Sequence, residues 1–375
     1  MGMSLFKHVK ISGIAGVVPE KTINIDDEIC YYNYDQKKLA RNKKILGLGT
    51  RHNVVDGETT CDLCEAAANR LIEEMGIERS TIDALVLATT TPDYIAPATS
   101  FILHGKLNLD EHCFCMDMNG GCTSLIHALF NVFSMIECGA IKKALILCGD
   151  IPSRRNDIRN RITSMLLADS GSAVLVEYIK NENNSYFLTG SRGKNWDSLI
   201  VPAGGARFPI RKDIVDYEVT DNNGNYWHLW DDIMKGLDVF NFTMEVGPKS
   251  IVDLLKYSKM TTDDIDIFAL HQGNKQIVDT IRKHANLPEK KVPTIAFEKY
   301  ANLSCSSCLS VLFESLTSEM ERVFLCTYGV GLSWGSCILN VKNVYNGKMS
   351  IFKNKKHIPS RKELIDHWTK HFMDN

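Results

Sequence analysis

A chain of 375 residues exceeds the roughly 250–300 residues that one hydrophobic core usually serves, so two packed halves are expected. With 44% hydrophobic and 23% charged residues, the composition is that of an ordinary globular protein and makes no case for disorder. Its 43 basic and 45 acidic residues give a formal charge of −2, which argues against nucleic acid as the main partner.

The N-terminal stretch MGMSLFKHVKISGIAGVVPE has neither a secretory h-region nor an apolar run near the ~20 residues of a membrane span. No membrane partner and a cytoplasmic location are expected, and there the twelve cysteines would stay reduced. Cys61/Cys64 and Cys305/Cys308 are Cys-x-x-Cys pairs, but each lies in an apolar or small-residue setting with no His at ligand spacing. Free thiols acting as small hydrophobes are the expectation, with no metal and no tightly bound cofactor.

Along the chain, CDLCEAAANRLIEEMG (61–76) has helical composition and closes at a glycine. STIDALVLATTTPD (80–93) holds a short apolar strand before a polar loop. TSLIHALFNVFSMIECG (123–139) is apolar on nearly every side, the mark of a helix covered all round. IKKALILCGD (141–150) and DSGSAVLVEY (169–178) read as buried strands.

The grammar then repeats. VGPKSIVDLLKYSKM (246–260), KQIVDTIRKHANLP (275–288) and SCLSVLFESLTSEM (307–320) read as helices. DDIDIFALHQGN (263–274), EMERVFLCTYG (319–329) and GVGLSWGSCILNV (329–341) read as strands. Strands alternating with helices, twice over, predict α/β architecture. The expected halves are 1–177 and 178–340, the second carrying an insertion around 205–232 rich in turn residues and aromatics. Residues 341–375 read as a Lys- and His-rich C-terminal extension with a final helix.

Three residues stand where chemistry could sit. Cys122 follows Gly120-Gly121 and opens the apolar helix; a thiol there is either a nucleophile favoured by the helix dipole or a packed core thiol. His271 ends a strand, either at a ligand crevice or as a cap for the next helix. Asn302, between small residues, is either a donor to a ligand or a turn residue.

These residues belong to a longer series: TTTPDYIAPATS (89–100), DMNGGCTSLIHAL (117–129), LADSGSAVLVE (167–177), LHQGN (270–274), YANLS (300–304) and YGVGLSWGSCIL (328–339). In this order, over nearly all of residues 5–340, the series resembles the thiolase superfamily, most closely its β-ketoacyl-acyl-carrier-protein synthase III branch. The resemblance implies a duplicated αβαβα layered fold and an acyltransferase. Cys122 would take an acyl group from an acyl-CoA or acyl-carrier-protein. His271 and Asn302 would steady the enolate formed as malonyl-acyl-carrier-protein loses CO₂. The backbone N–H groups of Cys122 and Val330 would form an oxyanion hole. The partners implied are acyl carrier protein and a second copy of the chain.

There are departures from the family pattern. Val330 stands where the family has glycine, and a β-branched residue resists positive φ, so this loop is expected to be reshaped. The N-terminal region has no Trp to clamp a CoA adenine, although Arg161 matches the spacing of the clamp's arginine. Asn274 and Lys275, and the basic residues Arg282, Lys283, Lys290 and Lys291 behind them, are candidates for binding substrate or carrier. Two alternatives share these residues: acyl transfer to an alcohol or amine without decarboxylation, and a non-catalytic thiolase-fold partner subunit. A degradative thiolase would need a second cysteine in the glycine-rich loop, and residues 328–336 have none.

Overall fold

The computed structural model describes residues 2–32, 34–222, 224–354 and 357–371. The last residues of the expected final helix, 372–375, and residue 223 of the expected insertion lie outside the described residues.

The apolar runs become strands. They begin with β1 (Gly2–Phe6), β2 (Val9–Pro19), β3 (Ala84–Ala88) and β4 (Phe114–Met118). Then come β5 (Lys143–Asp150), β6 (Ser170–Tyr178), β7 (Ser185–Ser191) and β8 (Ile267–Leu270). The set closes with β9 (Arg322–Gly329), β10 (Ser333–Asn340) and β11 (Tyr345–Phe352). They build a six-stranded sheet in the order β11-β2-β6-β5-β3-β4 and a five-stranded sheet in the order β1-β7-β10-β9-β8.

The same unit recurs in both sheets. β5 lies parallel to β3 and antiparallel to β6, and β9 lies parallel to β8 and antiparallel to β10. The edges are exchanged: β1, from the start of the chain, extends the second sheet, and β11, from its end, pairs in parallel with β2 of the first. The stretch read from sequence as an extension therefore supplies a sheet strand, and of its described residues those beyond Phe352 stand outside the layers.

Helices fill and cover the sheets. In chain order these are α1 (Gln36–Leu46), α2 (Thr60–Met75), α3 (Thr99–Lys106), α4 (Ser124–Glu137), α5 (Gly236–Ser258), α6 (Lys275–His284) and α7 (Ser307–Ser315). A last one, α8 (Arg361–His371), has no buried residue. α4 and α7 form the middle layer. Their Leu129, Phe133, Leu309 and Phe313 join one core with Val86 and Ile146 of the first sheet and Ala269 and Leu325 of the second. That is why α4 is apolar on every side: a sheet lies on each face of it.

α2 and α3 cover the outer face of the first sheet, and α5 and α6 that of the second. The result is a five-layer αβαβα stack. α5 starts earlier than its sequence suggested, because Pro248 lies within it rather than at its first turn. Among the described residues, no helix is long and apolar enough to cross a membrane.

Candidate active site

Beyond the ends of these strands, loops from both halves meet around one cleft of about 900 Å³, its open mouth included. From the first half, the chain leaves β4 and turns through Gly121–Thr123, a single 3-10 turn leading into α4. Gly121 takes φ +54°, and a Cβ there would lie 2.8 Å from Cγ2 of Val330, so only glycine lets this turn close on the 329–332 loop. The Thr123 and Ser333 hydroxyls meet at 2.7 Å and hold turn and loop together. Cys122, 8% exposed, lines the cleft.

His271 is the residue just beyond β8. Its N–H donates to the Cys326 carbonyl at 2.8 Å, which continues the parallel pairing of β8 with β9. The Tyr328 hydroxyl donates to the His271 carbonyl at 3.1 Å, and the two rings stand edge to face with centroids 5.4 Å apart. Nδ1 is enclosed with no hydrogen-bond partner among the described residues, so Nε2 is the nitrogen left to serve the cleft. Burial lowers the imidazole pKa to about 4, so near neutral pH it is an uncharged ring with one N–H to donate.

Asn302 is pinned by its backbone, its N–H donating to the Leu166 carbonyl at 2.8 Å and its carbonyl accepting from Ala168 N–H at 3.1 Å. Oδ1 accepts from the Ser304 N–H at 2.9 Å, which fixes the amide and leaves Nδ2 as its donor. Ala301 and Ser304 flank it at φ +58° and +49°, backbone that non-glycine residues adopt only when held there. Cys122, His271 and Asn302 thus line one cleft, with Ser304 beside them.

The thiol differs from the activated one that a helix N-terminus suggests. Burial, reinforced by Asp150 and Asp232 and opposed by the Ser304 hydroxyl, pushes Cys122 up to about 12. Without a bound partner, the sulfur is a protonated thiol.

The other sequence candidates divide. Val330 lines the cleft, and its own φ is not positive; in this loop that conformation falls on Gly331, so the valine's backbone is not strained. Asn274 also reaches the cleft, yet its Oδ1 accepts from the Ile277 N–H at 2.9 Å and so caps α6. Lys275 lines a separate groove with Lys43 and Lys44. Arg161 is not part of the cleft wall; it donates to the Tyr31 carbonyl at 3.2 Å. Lys291 donates to the carbonyls of Thr262, Asp263 and Ile265 at 2.9, 3.2 and 2.7 Å, and Arg282 faces Glu289 at 3.5 Å. Those two cations serve the fold.

Sequence reasoning passed over Asp150, Arg155 and Asp232, which also line the cleft. One signal was available for the first: Asp150 ends β5, and ligands of α/β sheets gather at strand ends.

Two family models match the chain. The 3-oxoacyl-[acyl-carrier-protein] synthase III model covers residues 116–193, and the model of that enzyme's C-terminal part covers residues 255–341. A Campylobacter jejuni protein, provisionally named a 3-oxoacyl-[acyl-carrier-protein] synthase 3, is 37% identical over 94% of this chain and 99% of its own. A β-ketoacyl-[acyl-carrier-protein] synthase III of Campylobacter concisus is 31% identical over 87% of this chain and 95% of its own. The crystal structure of a Burkholderia xenovorans 3-oxoacyl-(acyl-carrier protein) synthase superposes with a TM-score of 0.86 at 29% identity, covering 94% of this chain and 99% of that one.

Proposed function

The chain belongs to the 3-oxoacyl-[acyl-carrier-protein] synthase III family, an acyltransferase family of thiolase fold, and from that premise we propose that it joins an acyl group to a malonyl unit through an acyl-cysteine at Cys122. In the first stage the Cys122 sulfur attacks the carbonyl of an acyl thioester carried by coenzyme A or carrier protein. A C–S bond forms, the carrier's C–S bond breaks, and the thiol proton ends on the departing carrier thiol. The backbone N–H groups of Cys122 and Val330 are the donors assigned to the tetrahedral oxyanion.

In the second stage malonyl-acyl-carrier-protein loses CO₂, and its electron pair moves onto the thioester oxygen. His271 and Asn302 donate hydrogen bonds to that oxygen. With its pKa lowered by burial, the imidazole does so near neutral pH as an uncharged ring that still carries one N–H. The carbanion then attacks the acyl-cysteine, the 3-oxoacyl product leaves on the carrier protein, and Cys122 regains a proton. The supporting observation is the convergence of Cys122, His271 and Asn302 on one cleft from three loops belonging to both halves.

Intact-mass measurement after incubation with an acyl thioester tests the first stage. An acyl adduct is expected, and it should vanish in Cys122→Ala; an adduct that persists in that variant would overturn the nucleophile. Adding malonyl-carrier protein should then release CO₂ with a 3-oxo product, whereas an ester or amide formed without CO₂ would mean simple acyl transfer. His271→Ala should slow CO₂ release about 100-fold or more, while acylation falls far less.

A further inference from the structure

Helix α1 concentrates charge that little in the chain balances. Its 11 residues include Lys37, Lys38, Arg41, Lys43 and Lys44 and no acid, in a chain whose net charge is −2. Lys43 meets Asp26 at 2.7 Å. Among the described residues, Lys37, Lys38, Arg41 and Lys44 have no ion-pair partner. Lys37, Arg41 and Lys44 recur at i, i+4 and i+7, so they form one exposed stripe on the side away from Leu39, the buried residue of the helix. Like charges at this spacing destabilise a helix, and a helix that is merely solvated mixes acids among its bases. The stripe therefore points to a use.

It ends beside the cleft. α1 packs against α6. Gly47 closes α1 at φ +74°, and a Cβ on it would lie 2.8 Å from the Cβ of Lys275. Lys44 and Lys275 line one groove, while Asn274 and Ile277, before and after Lys275 in the chain, line the cleft that holds Cys122.

Two kinds of thioester carrier are anionic. Coenzyme A gathers its phosphates around one nucleotide and needs a seat for its adenine. Among the described residues, the groove lining has no aromatic ring to stack on one, and Arg161 donates to the Tyr31 carbonyl outside both groove and cleft. An acidic protein instead spreads its carboxylates along a surface. From Lys37 to Lys44 the stripe runs about 10 Å, a length that suits an acidic helix laid alongside it better than a single nucleotide.

We propose that the acyl group of Cys122 is delivered by an acyl carrier protein whose acidic face docks on the Lys37–Arg41–Lys44 stripe, rather than by coenzyme A. This rests on the reading that Cys122 is acylated, and it names the donor. The acyl group passes from the carrier thiol to the Cys122 sulfur, and the carrier thiol leaves with the Cys122 proton. Malonyl-carrier protein uses the same dock in the second stage.

The test compares rates of Cys122 acylation, read by intact mass, from butyryl thioesters of Campylobacter jejuni acyl carrier protein, coenzyme A and N-acetylcysteamine. The carrier protein should react about tenfold or more faster than coenzyme A in about 50 mM salt, and lose most of that lead in about 500 mM. Lys37→Ala, Arg41→Ala and Lys44→Ala combined keep helix propensity high and lie outside the cleft lining. In that variant the ratio of carrier-protein rate to N-acetylcysteamine rate should fall about tenfold or more. Removing three other exposed cations, by Lys180→Ala, Lys256→Ala and Lys362→Ala, should leave that ratio within about twofold of the original.

Coenzyme A reacting as fast as the carrier protein would overturn the donor assignment. A ratio unmoved by the α1 variant, or lowered as much by the other three substitutions, would overturn the dock. In each of these cases the acyl-cysteine stands. No adduct from any of the three thioesters would overturn the acyl-cysteine reading and this inference with it.

Discussion

At Cys122 two effects oppose each other, and their sizes decide the resting state. The helix N-terminus favours a thiolate by about 1–2 kcal/mol at best. Enclosure that takes the thiol from 9 to about 12 disfavours it by roughly 4 kcal/mol. The thiol form wins, and its thiolate fraction should keep climbing as pH rises. Alkylation of Cys122 by iodoacetamide is therefore expected to speed up about tenfold per pH unit from about pH 7 to about 9. A plateau near neutrality would mean that the helix terminus prevails. His271 has the opposite sign: its pKa is lowered to about 4, so the neutral ring persists above that value and is lost only as pH falls through it. Malonyl decarboxylation should consequently be flat from about pH 6 to about 8. Gly329 sets the room around the sulfur, since a Cβ there would lie 3.1 Å from Cys122 Sγ. Gly329→Ala should cut the acylation rate about tenfold or more while leaving the melting temperature nearly unchanged; an unaffected rate would show that the sulfur has space to move. Cys122 was legible because paired glycines before an apolar helix are a local pattern. Arg155 was not, because a charge shortly after an apolar strand reads as a solvated turn; its partner Asp232 comes from the far half of the chain.

At the scale of elements, the strands legible in sequence were those covered on both faces, β3, β5, β6, β8, β9 and β10, whose apolar runs need no partner to be recognised. β2 escaped notice because Gly13 and Gly16 interrupt its pattern; a Cβ at either would overlap Met75 or Phe313. β1 and β11 escaped because each finds its sheet in the other half, a pairing no local pattern encodes. The exchange makes an unequal prediction for the C-terminus. Ending the chain after residue 354 removes α8, which buries no residue and touches the body through Trp368 against Tyr94. That truncation should leave acylation and melting temperature close to the full chain's. Ending it after residue 343 removes β11, bares the backbone edge of β2, and strips Tyr345 and Phe352 from the core beneath α2. The melting temperature should then fall by about 5 °C or more, with aggregation through the uncovered edge. Equal melting curves for the two truncations would show that β11 is dispensable.

For the whole molecule, the duplication explains why the candidate site sits where the halves meet. Cys122 comes from one unit and His271 and Asn302 from the other, so the cleft exists only when both sheets pack on α4 and α7. One of the sheet edges in this arrangement is bordered by exposed apolar side chains. β4 is the outer strand of the six-stranded sheet, with Phe114 48% exposed. Phe101 of α3, the helix that packs beside β4, is 57% exposed, and Ile95, in the loop before α3, is 98% exposed. A free strand edge ringed by large apolar side chains is a template for pairing unless something covers it. A second copy of the chain laid across this edge is the expected cover. Light scattering at micromolar concentration should give twice the chain mass, and Phe101→Glu should halve it. That loop contains Thr90, which donates its N–H to Asp150 and accepts from Arg155 at its carbonyl in the cleft wall. Losing the partner should therefore loosen the wall as well as the edge. The Phe101→Glu monomer is expected to acylate Cys122 more slowly although it lies outside the cleft lining; a monomer with full acylation rate would separate the two surfaces.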